Sequence, residues 1–247
     1  MRKGIIFSLF FMIIFTAPSH AGFFESIFES LGGTASQDID NSTVTSGLKE
    51  ALSIGTKIAV ETVSQADGYF GNQTIRILMP EKLQMAADVL GTIGYEKEVD
   101  EFILRMNRAA EKAAPQASSF FIDAIKDMSF SDVQAVLNGG DTAATDFFKS
   151  RTSEKLYAVF KPVISSSMDQ VGTVRAYKEM MGQYQSLPFV RTESLDLDHY
   201  VTNKALDGLF YMVGQEEKRI RQDPTARVTE LLEKVFGEQK ISEALLK

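Results

Sequence analysis

From residue 47 to residue 236, apolar side chains recur at the three-to-four-residue period of a helix, and nothing else in the chain limits its fold as much. The pattern is cleanest at 96–114, where Val99, Phe102, Ile103, Met106, Ala109, Ala110 and Ala113 share one helix face. A first stripe runs through Leu48, Ala51, Leu52, Gly55, Ile58, Ala59 and Thr62. Others include Phe120, Phe121, Ala124, Ile125 and Met128, then Leu156, Val159, Phe160, Val163, Ile164 and Met168. Leu206, Leu209, Phe210, Val213 and Ile220 form a late stripe, and Val228, Leu231, Leu232, Val235 and Phe236 the last. There is no convincing strand pair, heptad run or internal repeat. The expected fold is all-α: a single compact domain over 47–237, of about eight to ten helices without a significant sheet, followed by a tail at 238–247.

The breaks between stripes carry turn chemistry. At 67–79, DGYFGNQTIRILM, Gly68 and Gly71 fit turns, and Ile75 and Ile77 alternate like an extended segment. Pro80 suits a first helical position with Glu81 beside it. Ser131 reads as the cap of a short helix stopped by Gly139 and Gly140, and Asp141 or Thr142 as the cap of the next. Pro162 predicts a kink or break near Phe160. Asp223-Pro224 reads as a stop and restart, so most of the charge in EEKRIRQDPTAR, 216–227, belongs to a helix–turn–helix corner.

The N-terminus, MRKGIIFSLFFMIIFTAPSHA, has basic residues at Arg2 and Lys3, an apolar run at 4–15, and small residues at Ser19 and Ala21. This is the layout of a secretory signal peptide over 1–21. The run is shorter than the roughly 20 residues of a spanning helix. With no cysteine in the chain, a lipid-modified cysteine is ruled out, and no later segment is long and apolar enough to span a membrane. The expected location is the periplasm. Residues 22–46 hold a short amphipathic piece, GFFESIFESL, and a small polar linker. The amphipathic piece either touches a membrane or partner, or docks on its own domain or frays.

Composition excludes whole classes of function. Acidic residues outnumber basic ones by 33 to 26, for a formal charge of −7, and cleavage would remove only basic charge. Nucleic acid, which calls for a basic face, is not an expected partner. His20 leaves with the signal, so His199 is the one histidine of the mature chain. Zinc sites of cysteines and several histidines are excluded, as is a cysteine nucleophile. No cofactor or metal is expected. A Ser-His-Asp triad could use only His199, with Asp196 and Asp198 near it in sequence; a surface histidine near a helix start is the plainer reading.

Several short motifs have two readings. Ser46-Gly47-Leu48-Lys49 matches S-x-x-K but lacks the partner motifs of serine acyl-enzymes, leaving Ser46 as a helix cap. Gly139-Gly140 precedes a helix start whose N–H groups could receive an anion; a plain helix stop is the alternative. Asp196 and Asp198 are too few for an EF-hand loop and suit the cap of a helix beginning near Asp198. The methionines and phenylalanines fit a core or the lining of a lipid pocket. Glu217 lies on an apolar stripe, four after Val213 and three before Ile220. A buried carboxylate needs a partner. Arg227 is the expected one if the corner folds back; a ligand-facing carboxylate is the sharper reading.

Blocks of the chain resemble one bacterial family. They are GLKEALSIGT (47–56), IRILMPEKL (75–83), NRAAEKAAP (107–115), FIDAIKDMSFSD (121–132), NGGDTAATDFF (138–148), LDHYVTNKALDGLF (197–210) and EEKRIRQDPTARVTELLEKVFG (216–237). The family is catalogued as domain of unknown function 4197. The resemblance implies an exported, predominantly helical protein of Gram-negative bacteria, and brings no activity with it. It singles out polar positions to test: Asn107, Arg108, Glu111, Arg151, Lys204 and Arg227, to which the periodicity adds Glu217. The leading expectation is a non-enzymatic envelope protein that binds a protein partner or a small ligand, apolar ones included. One alternative is a hydrolase or lyase using carboxylates and arginines; another is a structural envelope protein without a pocket.

Overall fold

A computed structural model describes residues 41–170, 173–185 and 196–222. All of the secondary structure in them is helical, with no strand. In chain order the helices are α1 Asn41–Ser64, α2 Glu81–Thr92, α3 Glu96–Ala113, α4 Ala117–Lys126, α5 Phe130–Leu137, α6 Ala143–Gln170, α7 Thr173–Gln185 and α8 Leu197–Gln222. A 3-10 turn, Ala114–Gln116, joins α3 to α4 around Pro115. The expected count of eight to ten was drawn for the whole chain. The corner at Asp223-Pro224, the stripe ending at Phe236 and the segments 1–21 and 22–31 lie outside the described residues. Among the described residues, no helix is long and apolar enough to cross a membrane.

α8 packs along α1 and α6, and α3 lies against α6. Their apolar faces meet in one core holding Phe102, Phe121, Phe148, Phe160, Met106 and Leu156, all essentially inaccessible to water. The Phe121 ring meets Phe148 edge-on at 5.1 Å and Phe210 at 6.1 Å, tying α4, α6 and α8 together. Each such ring contributes about 2–3 kcal/mol by burial. α7 completes one side against α3, α2 and α6, with Tyr177 tilted against Phe102 at 5.8 Å.

Four local expectations are corrected. α1 begins at Asn41, inside the stretch read as linker, so Ser46 is an exposed mid-helix residue and caps nothing. Of the kink or break expected near Phe160, the break does not occur: α6 continues through Pro162. Pro162 and Ala158 both face water, so the carbonyl deprived of its N–H partner can be solvated. The cap of α5 is Ser129, not Ser131: Ser129 Oγ accepts from Asp132 N–H at 3.2 Å, and the Asp132 carboxylate accepts from Ser129 N–H at 2.9 Å. Pro80 sits one position before α2 in extended backbone, and Glu81 begins the helix.

Residues 65–80, between α1 and α2, are the irregular part that matters most. Ile75, Ile77 and Met79 are buried while Leu78 is exposed, as alternation requires of extended chain. Tyr69 is wholly buried, and its phenol donates to the Ala205 carbonyl of α8 at 2.6 Å. Gly208, one turn along α8, makes room for it: a Cβ there would stand 2.7 Å from the Tyr69 ring and 3.1 Å from Ile75.

Candidate functional site

Three of the polar residues singled out from sequence share one face of α3, and the structure brings them together beneath the 65–80 segment. Ile77 N–H donates to Asn107 Oδ1 at 2.8 Å, and Asn107 Nδ2 returns a bond to the Ile77 carbonyl at 2.8 Å. Asn107 thus serves the extended segment as a neighbouring strand would. Glu111 Oε1 accepts from Tyr69 N–H at 3.2 Å and Phe70 N–H at 3.3 Å. Its other oxygen accepts from Arg108 Nη1 at 2.7 Å, and Arg108 Nη2 reaches Asp67 at 2.6 Å. The Glu111 carboxylate beside it, ahead of Asp67, raises the Arg108 pKa further. Burial, aided by the Glu111 charge, pushes the Tyr69 phenol far above its ordinary range.

Glu217 forms a second assembly of the same kind. It is 7% exposed, on the apolar stripe where periodicity placed it. Its carboxylate accepts from Ala144 N–H and Thr145 N–H, both at 2.8 Å, and from the Thr145 hydroxyl at 2.8 Å. The anion expected beyond Gly139-Gly140 is therefore the protein's own side chain, seated on the N-terminus of α6. Its ion-pair partner is Arg221 at 2.9 Å, one turn along the same helix. Arg227, the partner expected from sequence, lies outside the described residues. Arg221 Nη2 also donates to the Val136 carbonyl at 2.8 Å, fastening the end of α5.

The remaining sequence-selected residues are scattered. Arg151 is exposed, 3.4 Å from Asp132 and 5.5 Å from the Phe147 ring centre. Asp196 Oδ1 accepts from His199 N–H at 2.9 Å and so caps α8, the role expected of the Asp196 and Asp198 pair. That backbone bond, followed by Lys161 at 3.4 Å, lowers the Asp196 pKa. His199 is exposed, with Nδ1 2.7 Å from the Tyr157 hydroxyl. Lys204 lines a cavity.

That cavity is an open groove of about 810 Å³ between residues 74–82 and the outer face of α8. Leu78, 59% exposed, and Tyr211, 42% exposed, present apolar surface to it. Tyr200 donates from its phenol to the Leu78 carbonyl at 3.0 Å. Burial and then Glu81 push that phenol above its ordinary pKa. Lys204 and Asp207 come from α8, and Arg76 from the extended segment. The Arg76 guanidinium lies over the Phe70 ring at 4.1 Å, and its Nε is buried without an acceptor. The groove's frame is rigid because Asn107, Glu111 and Tyr69 fix the chain on either side of Arg76.

A family model described as "Protein of unknown function (DUF4197)" matches residues 38–237. The chain belongs to this family. The DUF4197 match takes in every helix from α1 to α8, both carboxylate assemblies and the groove. It starts ahead of α1, in keeping with a helix that begins at Asn41 and not near 47. No curated protein and no solved structure matches the chain.

Sequence reasoning missed Arg76, Leu78, Tyr200 and Tyr211. One signal was available: if Ile75 and Ile77 face inward, Arg76 and Leu78 face the other way, and an outward leucine beside an arginine is worth noting. The tyrosines gave no such signal, because their relation to residues 74–82 depends on contacts across more than 120 positions of sequence, as from Tyr200 to Leu78.

Proposed function

We propose that this DUF4197 protein is exported to the periplasm of a Gram-negative bacterium and acts there by binding, without catalysis, in the groove between residues 74–82 and α8. The signal-like residues 1–21 support export. The observation that carries the binding reading is the exposed Leu78 and Tyr211 in a concave site whose walls are held by buried hydrogen bonds. Apolar side chains facing a groove with a few polar groups around them are what a small ligand or partner segment recognises. Glu111 and Glu217, the carboxylates best suited to acid–base work by burial, are each bound to backbone N–H groups and an arginine. That commitment argues for a binding role over the hydrolase or lyase alternative.

The test is native mass spectrometry of the mature protein taken from its host's envelope, paired with a photo-crosslinking residue at position 78. A stable mass excess, or a crosslink formed from position 78 and not from exposed Lys57 on α1, is the expected result. A bare protein without a groove-specific crosslink would leave the structural alternative standing.

A further inference from the structure

Among the described residues there are seven arginines, and six have a carboxylate partner: Arg105, Arg108, Arg151, Arg175, Arg219 and Arg221. Arg76 is the exception. No ion pair or hydrogen bond of its guanidinium is found among the described residues; its Nε is buried without an acceptor, as that of Arg105 is, so the missing carboxylate is what sets Arg76 apart. Leaving a charged donor so placed is unfavourable, and such a group in a folded protein calls for an explanation. The Phe70 ring beneath it, 4.1 Å from Cζ, is attractive to the cation but supplies no acceptor. Arg76 lines the groove, and so does Lys204, which has no carboxylate partner among the described residues. Beside these two cations lie the exposed Leu78 and Tyr211.

We infer that the groove takes an anionic amphiphile, a compact oxyanion head on an unbranched apolar chain, with Arg76 receiving the head. The inference rests on the reading of the groove as a binding site and names its ligand class. A guanidinium anchored over a ring presents N–H groups in a planar fork that matches a carboxylate or a phosphate. The apolar chain then covers Leu78 and the Tyr211 ring, removing from water the apolar surface that the groove leaves exposed. Strand addition along residues 75–79 is the poorer fit, because Tyr200 already holds the Leu78 carbonyl and Asn107 holds both backbone groups of Ile77. Asp207 and Glu81 line the same groove, so the head is placed on Arg76 and away from these two carboxylates.

The probes are dodecanoate, dodecyl phosphate and 1-dodecanol, each below its aggregation limit, titrated into the mature protein with methyl-labelled leucine and ring-labelled tyrosine. The expected result is saturable shifts at Leu78 and Tyr211 with one or both anionic probes, and weaker binding of the alcohol. Arg76→Gln should weaken the anionic probe about tenfold or more while leaving the alcohol unchanged. Lys204→Gln should weaken it less, and Arg175→Gln on α7 should not. Dodecanoate bound more tightly than dodecyl phosphate identifies a carboxylate head, and the reverse a phosphate; either supports the inference. If all three probes bind equally and Arg76→Gln changes nothing, the anionic head is wrong while the groove remains a binding site. If no probe shifts Leu78 or Tyr211, the ligand class is overturned; a position-78 crosslink to a protein would then preserve the binding reading. Should Arg76→Gln fail to fold, the ratio of dodecanoate to dodecanol affinity on the unaltered protein decides.

Discussion

Arg108 and Arg76 face the same ring, Phe70, at 6.0 and 4.1 Å, and they are used in opposite ways. Arg108 joins Glu111 to Asp67 and closes a network whose other members are the backbone N–H groups of Tyr69 and Phe70. Both Glu111 oxygens and both terminal nitrogens of Arg108 have partners there. Arg76, which lines the groove, has none for its guanidinium among the described residues. A charge with all its partners supplied by the chain is explained by folding. One without them marks where folding leaves off and recognition begins. The Glu217–Arg221 assembly belongs with Arg108: its carboxylate is satisfied by a helix N-terminus and an arginine, and no ligand is needed to account for it.

Mutations can break or sharpen that contrast. The largest loss is expected from Glu217→Ala, which strands the N–H groups of Ala144 and Thr145 and leaves Arg221 without its carboxylate. Removing one partner of a buried pair costs about 3–5 kcal/mol, so denaturant unfolding should show a sharply lowered midpoint. Asn107→Ala comes next. It frees both backbone groups of Ile77 in the interior, at about 2–3 kcal/mol, and should loosen the groove, seen as faster amide exchange at 75–79. Gly208→Ala then forces a Cβ against the Tyr69 ring, which its bond to Ala205 prevents from retreating. Overpacking of this kind costs about 1–3 kcal/mol, and near-ultraviolet tyrosine dichroism should change with it.

The smallest effect depends on pH. The Ser129 hydroxyl and then the Ser129 N–H hold the Asp132 carboxyl below its ordinary pKa of 3.8. A group whose folded pKa is lowered adds stability in full above its unfolded value, and that stability is lost as pH falls through the folded value. Asp132→Asn should therefore lower the melting temperature slightly at neutral pH and leave it unchanged in strong acid. An equal loss at both pH values would place the effect in the hydrogen bonds of the cap and not in its charge.

Much of the fold could be read from sequence because a 3.6-residue period survives any rearrangement of neighbours. The face of α3 carrying Phe102, Met106, Ala109, Ala110 and Ala113 is buried as expected, and Glu217 falls inside as its place on a stripe required. The i, i+4 geometry of a helix puts Arg221 beside the carboxylate, a partner the spacing alone offered; Arg227, the one expected across the Asp223-Pro224 corner, lies outside the described residues. The cap of α5 was placed two residues late because Ser129 and Ser131 are equally good caps by type, and only the reciprocal bond with Asp132 separates them. The groove was the least legible. Its walls come from residues 74–82 and 200–211, and no local pattern says that they adjoin. Lys204 was selected as a polar position, without any sign that it shares a cavity with Leu78 and Arg76.

The two arginines at Phe70 thus differ in kind, Arg108 holding the fold and Arg76 left for a ligand. Thermal unfolding of Arg108→Gln and Arg76→Gln, measured side by side without ligand, tests it most directly. The account predicts that Arg108→Gln melts several degrees lower, because Glu111 loses its charged partner. It predicts that Arg76→Gln stays within about 1 kcal/mol of the parent, the lost stacking on Phe70 being offset by removal of an unsatisfied donor. An Arg76→Gln protein that melts as low as Arg108→Gln would contradict the account and make Arg76 one more structural residue.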